Sequence, residues 1–245
     1  MANTLYSNVL QVQAWRSARK KRQIPRWTWY RTENTVAAGT GCATVIEVWF
    51  SGIMSRLSRQ VQPAEAYLAK LTKADWATLA KRDVVVKGGQ GQYGLMIATT
   101  VSQAAAWAVL TDYSSFETFL PTVVKSRVVE TDGDRTIVEQ IDRRRIMLHT
   151  MESKVLTENL ELDGQQISFR LLEGNLEYMY GHWRIDAAPP TLGHNLLCLL
   201  SQQVRAEADV GPFKALFYNL FEAGLVETMK ALRAEMERRA ALSNL

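Results

Sequence analysis

Three adjacent arginines, Arg143-Arg144-Arg145, form the sharpest polar feature of the chain. Guanidinium groups in a row suit phosphate, on lipid headgroups or on ribosomal RNA. The competing account is a solvated strand junction whose charge Asp142 and nearby acids neutralise. Other residues able to do chemistry are scattered. His149, His182 and His194 lack a helical i, i+4 partner for a metal, and Cys42 and Cys198 show no CxxC or Cys/His spacing. No nucleophile elbow or Ser/His/Asp grouping occurs. Glu139, Glu152 and Glu177 would serve as acids or bases only if burial moved their pKa values. His182, beside Trp183 in an alternating segment, is expected to face away from any interior. The residues therefore favour binding over bond chemistry, although a pocket that only folds a reactive chain would leave little motif behind.

The elements that must position these residues lie in a chain of 245 residues, 47% hydrophobic and 22% charged. Seven of the 29 basic residues fall in residues 1–32, which contain no acid; the other 22 face 25 acids, a net charge of −3. The basicity thus belongs to the leader, and a basic face for DNA is not expected on the rest. No apolar run reaches the roughly 20 residues of a membrane span. The leader, residues 1–62, is Arg-rich like an organelle transit peptide, which would place the protein in a plastid stroma. It also carries Trp15, Trp27 and Trp29, which suit a tail touching anionic lipid. A start at Met54 and a disordered extension complete the readings. Without a targeting role the protein is expected in the cytoplasm, with peripheral membrane contact as a further expectation.

Residues 63–82 read as an amphipathic helix or linker, opened by Pro63 and carried by Leu68, Leu71, Trp76 and Leu79. From Asp83 the period changes to two. Strands are expected over 83–87 and 93–101 around the turn Gly88-Gly89-Gln90-Gly91, then a short helix over 103–110 capped by Ser102 and a second helical turn over 112–119 ended by Pro121. Six strands follow, over 123–130, 135–141, 145–157, 166–172, 177–185 and 195–207. Short loops between them imply an antiparallel meander. Gly211-Pro212 then opens the longest helix, to about Ala241, with an apolar stripe of Phe213, Leu216, Phe217, Leu220, Phe221, Leu225, Met229, Leu232 and Met236. Such a stripe needs a wide apolar partner, and the sheet is the one available. The fold class is α+β over residues 83–242: a helix-grip arrangement, with a curved antiparallel sheet around a long C-terminal helix and two short helices after the first strand.

The segment Trp107-Ala-Val-Leu-Thr-Asp-Tyr113, with Phe119-Leu-Pro121, Val138-Glu-Gln140 and Gly181-His-Trp183, resembles the polyketide cyclase/dehydrase and lipid-transport group of the START-like superfamily (SRPBCC). It is similar to coenzyme-Q-binding START-domain proteins and to ribosome-association toxins. Asp142-Arg-Arg-Arg145, Met179-Tyr-Gly181 and Ala206-Glu-Ala-Asp-Val-Gly211 look like cyanobacterial and chloroplast members. The resemblance spans roughly residues 83–240 and implies a cavity for a hydrophobic small molecule, with a bound prenylquinone or lipid as the expected cofactor-like ligand. A cyclase or dehydratase is the alternative, and a ribosome-associating regulator a further one.

Candidate ligand contacts follow from alternation. Met179, Gly181, Trp183 and Ile185 share one strand face, and Ile167, Phe169 and Leu171 share another, looking toward Phe213, Phe217 and Phe221. Trp107, Tyr113, Phe116, Phe119 and Pro121 lie where the short helices meet the sheet, with the Tyr113 hydroxyl available to a ligand carbonyl. Gly181 would leave room on the wall, or would mark a bend in a curved strand. The alternative for all of these is a packed core.

Overall fold

The computed structural model describes residues 70–146, 149–193 and 195–243, together with Leu68. By backbone contacts the chain divides into residues 1–55 and 56–245. The leader therefore lies outside the described residues, as does the expected helix start at Pro63.

Helix α1, Lys73–Ala80, begins with a capping box: Asp75 N–H donates to Thr72 Oγ1 (3.2 Å), and Thr72 N–H donates to the Asp75 carboxylate (2.7 Å). Strands β1 (Val85–Gly89) and β2 (Gln92–Thr99) follow, so Gly88 and Gly89 join the ladder and the turn shrinks to Gln90-Gly91. Ser102 caps α2 (Gln103–Leu110) by accepting the Ala105 N–H at 3.3 Å. A 3-10 turn (Tyr113–Ser115) runs into α3 (Phe116–Phe119). Then come β3 (Val123–Asp132), β4 (Arg135–Ile146), β5 (His149–Leu162), β6 (Gln166–Gly174), β7 (Tyr178–Ala187) and β8 (Cys198–Glu207). After a 3-10 turn at Gly211–Phe213, α4 runs from Lys214 to Ser243.

The eight strands form one curved antiparallel sheet in the order β1-β2-β8-β7-β6-β5-β4-β3. Strands β3 to β8 are the expected meander. Pairing of β8 with β2 means that α2 and α3 carry the chain from β2 to the opposite edge, β3.

One boundary differs in a way that matters. The expected junction at residues 142–145 is uninterrupted strand: β4 pairs with β5 from Arg135↔Leu160 through to Ile146↔His149. The β5 ladder holds this stretch extended and tolerates arginines, because their stems lie along the sheet and their heads reach solvent or a partner.

The inner face, which α4 covers, carries the main core. Leu95, Ile97, Leu200, Val204, Ile185 and Ile167 meet Met229, Leu232 and Met236 of α4, and Ala106, Val109 and Leu110 of α2 join them. The C-terminal half of α4 is the buried half. It is pinned at both sides: Thr99 Oγ1 and Thr100 N–H donate to Glu237 (3.2 and 3.3 Å), and Arg239 pairs with Asp112 at 2.8 Å. The stripe does not stay covered toward the start of the helix, where Phe213 is 66% and Leu216 49% exposed. On the outer face, α1 seats Leu79 against Val85, Met96, Ala98 and Leu199. Helix α1, inside the segment read as an amphipathic helix or linker, thus packs on the sheet through Leu79.

Candidate functional site

Register places the inner-face residues in rows that run across the sheet. One row is Leu95, Gln202, Trp183, Ile167 and Glu161. The next is Tyr93, Val204, Gly181, Phe169, Asn159 and Thr136. Beyond it, Leu171 pairs with Thr157, and Met179 with Ala206. Apart from Gln202 of β8, both rows are apolar under the helix and turn polar at β5 and β4.

The expected walls are therefore on the inner face, but they are not equally covered. Phe169 is buried, while Leu171, Met179, Gly181 and Trp183 are half-buried. On α4, Phe217 stacks on Phe221 (centroids 5.6 Å apart, 24° between planes), and Phe221 meets Tyr93 at 5.9 Å. Phe213 does not join them, because it belongs to the exposed 3-10 turn ahead of the helix. Gly181 leaves no room: a methyl group there would overlap the Gln203 carbonyl oxygen and the Phe169 ring. It is glycine because backbone and ring approach closely.

At the short helices, Tyr113, Phe116 and Phe119 form a chain of edge-to-face contacts, with centroids 5.6 and 5.7 Å apart, and Arg239 lies 5.9 Å over the Phe119 ring. Trp107 packs half-buried against the core, and Pro121 is exposed beyond α3. The Tyr113 hydroxyl, expected to be free for a ligand carbonyl, donates instead to Glu161 Oε1 at 3.0 Å. Burial, with the Glu161 carboxylate, raises the phenol well above its ordinary range.

Glu161 belongs to a polar strip that the apolar pattern does not reveal. Thr136 Oγ1 reaches Glu161 at 3.4 Å, and Asn159 Nδ2 donates to the Thr136 carbonyl (3.4 Å) and to Thr157 Oγ1 (3.2 Å). Its signal was present as the alternation Val155, Thr157, Asn159, Glu161 along one strand. Gln202, between Leu200 and Val204, breaks an apolar alternation in the same way.

The arginine run is not one patch. Adjacent strand residues point to opposite faces. Exposed Arg143 pairs with Glu152 at 3.1 Å, whereas Arg144 turns inward and donates to the Leu220 carbonyl of α4 at 3.1 Å. The side chain of Arg145 lies outside the described residues.

Two of the described buried groups, Cys198 and His182, are held in their uncharged forms. Burial, aided by Asp186, pushes the Cys198 thiol up to about 12, so it stays protonated. His182 lies on the outer face, as alternation requires, yet it is buried; desolvation and then Arg184 lower its pKa and keep it neutral. Among the described residues no group of acids, histidines and cysteines could hold a metal ion, and no helix is long and apolar enough to cross a membrane.

A family model described as polyketide cyclase / dehydrase and lipid transport matches residues 99–233. Among solved structures, a protein from Thermus thermophilus aligns at 18% identity with a TM-score of 0.50, over 62% of this chain and 98% of its own. The di-domain ARO/CYC StfQ from the steffimycin biosynthetic pathway aligns at 12% identity with a TM-score of 0.53, over 83% of this chain. This chain covers 63% of that longer protein. At these identities the likeness is one of fold. No curated protein matches the sequence.

Proposed function

Because the chain belongs to the polyketide cyclase/dehydrase and lipid transport family, we propose that it holds a hydrophobic small molecule, a prenylquinone or lipid, between the sheet and the first half of α4, and carries or shields it without chemical change. One observation carries this reading. Met179, Trp183, Phe217 and Phe221 stay half-buried on the covered side of the sheet, where a filled interior would bury them completely. The exposed Phe213, in the turn ahead of α4, and Leu216, in the first turn of α4, lead to that region. The protonated Cys198, the neutral outer-face His182 and the Tyr113 phenol bound to Glu161 supply no activated acid, base or nucleophile.

Native mass spectrometry of the protein purified without detergent, followed by solvent extraction, tests the proposal. A one-to-one adduct of an apolar molecule is expected, replaceable by decylubiquinone. A preparation that is always empty and takes up no decylubiquinone overturns it. The strip of Thr136, Thr157, Asn159 and Glu161 favours a second reading, in which the interior folds an oxygen-rich polyketide chain through hydroxyl and amide contacts. Extraction of a polyketide rather than a quinone or lipid would select it.

A further inference from the structure

Two buried side-chain oxygens meet no hydrogen-bond partner among the described residues, Oε1 of Gln202 and Oγ of Ser126, and Gln202 is the one set among the apolar side chains under α4. Gln202 is 6% exposed. Along β8 its inner-face neighbours are Leu200 and Val204, both in the core, and across the sheet they are Leu95 and Trp183. A leucine at this position would continue the apolar wall and leave no acceptor unmet. Glutamine instead sets a single amide among hydrocarbon. At the far end of the same row Glu161 Oε1 is already occupied by Tyr113 and Thr136. The other buried side-chain atom without a partner, Ser126 Oγ, is a hydroxyl on β3, whose N–H donates to Glu117 at 2.9 Å.

We infer that Gln202 recognises the polar group of the bound molecule, and that this molecule is an apolar compound carrying a hydroxyl. The O–H donates to Gln202 Oε1, and the apolar remainder lies along Trp183 toward Phe217 and Phe221. This deepens the binding reading above and rests on it. An ether or hydrocarbon of the same shape leaves Oε1 unmatched, so the site discriminates by the presence of the proton. A quinol satisfies the amide as it stands. A quinone, which carries acceptors alone, requires the amide to turn and present Nε2.

Calorimetric titration of the full chain with 2-naphthol, 2-methoxynaphthalene and naphthalene tests this. The wild type is expected to bind 2-naphthol on the order of tenfold more tightly than the other two. Gln202→Leu and Gln202→Met are expected to bind all three within about twofold of one another, with melting temperatures no lower than the wild type. Equal affinities in the wild type, or a preference that persists in both variants, overturn the assignment of Gln202 and leave the binding interior intact. Failure of the wild type to bind any of the three overturns the hydroxyl assignment where decylubiquinone is still taken up, and removes the interior reading as well where decylubiquinone is also refused.

Discussion

Gly224 of α4 and Arg144 of β4 are a fitted pair. Gly224 is buried, and a Cβ there would run into the Arg144 guanidinium, which uses the space to reach the Leu220 carbonyl. The arginine thus satisfies a helix carbonyl while bridging sheet to helix over the proposed binding region. A double-mutant cycle tests the fit: Gly224→Ala and Arg144→Met are each expected to cost about 1 kcal/mol in urea unfolding, and the double variant less than their sum by about 0.5 kcal/mol or more. Full additivity would show that the two side chains do not share a contact. Gly181 makes a harder demand, because its obstacle is backbone, the Gln203 carbonyl, which cannot swing aside as an arginine can. Gly181→Ala is expected to cost about 2 kcal/mol or more by the same measurement. Gln202→Leu should move the other way, by roughly 1 kcal/mol, since it removes an unmet buried acceptor.

At the scale of elements, α4 divides into a structural half and a half free for function. Leu232 and Met236 are 1% exposed against α2 and the sheet, while Leu216 is 49% exposed. Leu232→Ala is expected to lose about 2–5 kcal/mol, and Leu216→Ala to stay within about 0.5 kcal/mol, by chemical denaturation. Equal losses would mean that the first turns of α4 are packed as tightly as its end. Carboxylate pairs brace α4 internally and tie β4 to β3 and β5 and α1 to β1. Hydrogen bonds from Arg238 and then Arg239 hold Glu235 down at about 2, and those from Arg127 and then Lys154 hold Glu139 at about 2, against an ordinary 4.5. Asp75, held mainly by Lys87 of β1 and then by Thr72, also sits at about 2, against 3.8. A folded pKa below the unfolded one gives stability that is complete above the unfolded value and lost as pH falls toward the folded one. The melting temperature is therefore expected to hold above about pH 5 and fall steadily between about 4.5 and 2, with a shallower fall in Glu235→Gln. A flat profile through that window would mean that these pairs are not formed in solution.

Among the described residues the sheet is covered by α4 on its inner face and by α1 at one end of its outer face, so packed structure begins ahead of the first strand. Leu79 is fully buried by Val85, Met96, Ala98 and Leu199, so α1 closes an apolar outer patch at the β1, β2 and β8 end. A chain beginning at Asp83 is expected to aggregate or to melt at least about 5 °C lower than one beginning at Arg56, because that patch is then exposed. Equal melting temperatures would show α1 to be an appendage. The covering of the inner face is asymmetric in a different way: α4 approaches β2 most closely, and the far strands β4 and β5 present their polar strip beyond it. That offset is what leaves half-buried aromatic side chains in between.

Much of this was readable from residue order. Alternation separated Trp183 from His182, Ser102 announced α2, and the stripe from Phe217 to Met236 required a sheet to lie against it; each is a local pattern, carried by neighbours two to four positions apart. Asp142 to Arg145 misled because charge suggested a junction, and only pairing with β5 keeps those residues in a strand. Tertiary structure alone decided the rest. Glu161 meets Tyr113 across 48 positions, Arg144 finds Leu220 across 76, and Gln202 enters the row of Trp183 and Ile167. Alternation says which face a residue takes, but register and the placement of the covering helix determine what it meets there, and both depend on contacts between segments far apart in the chain.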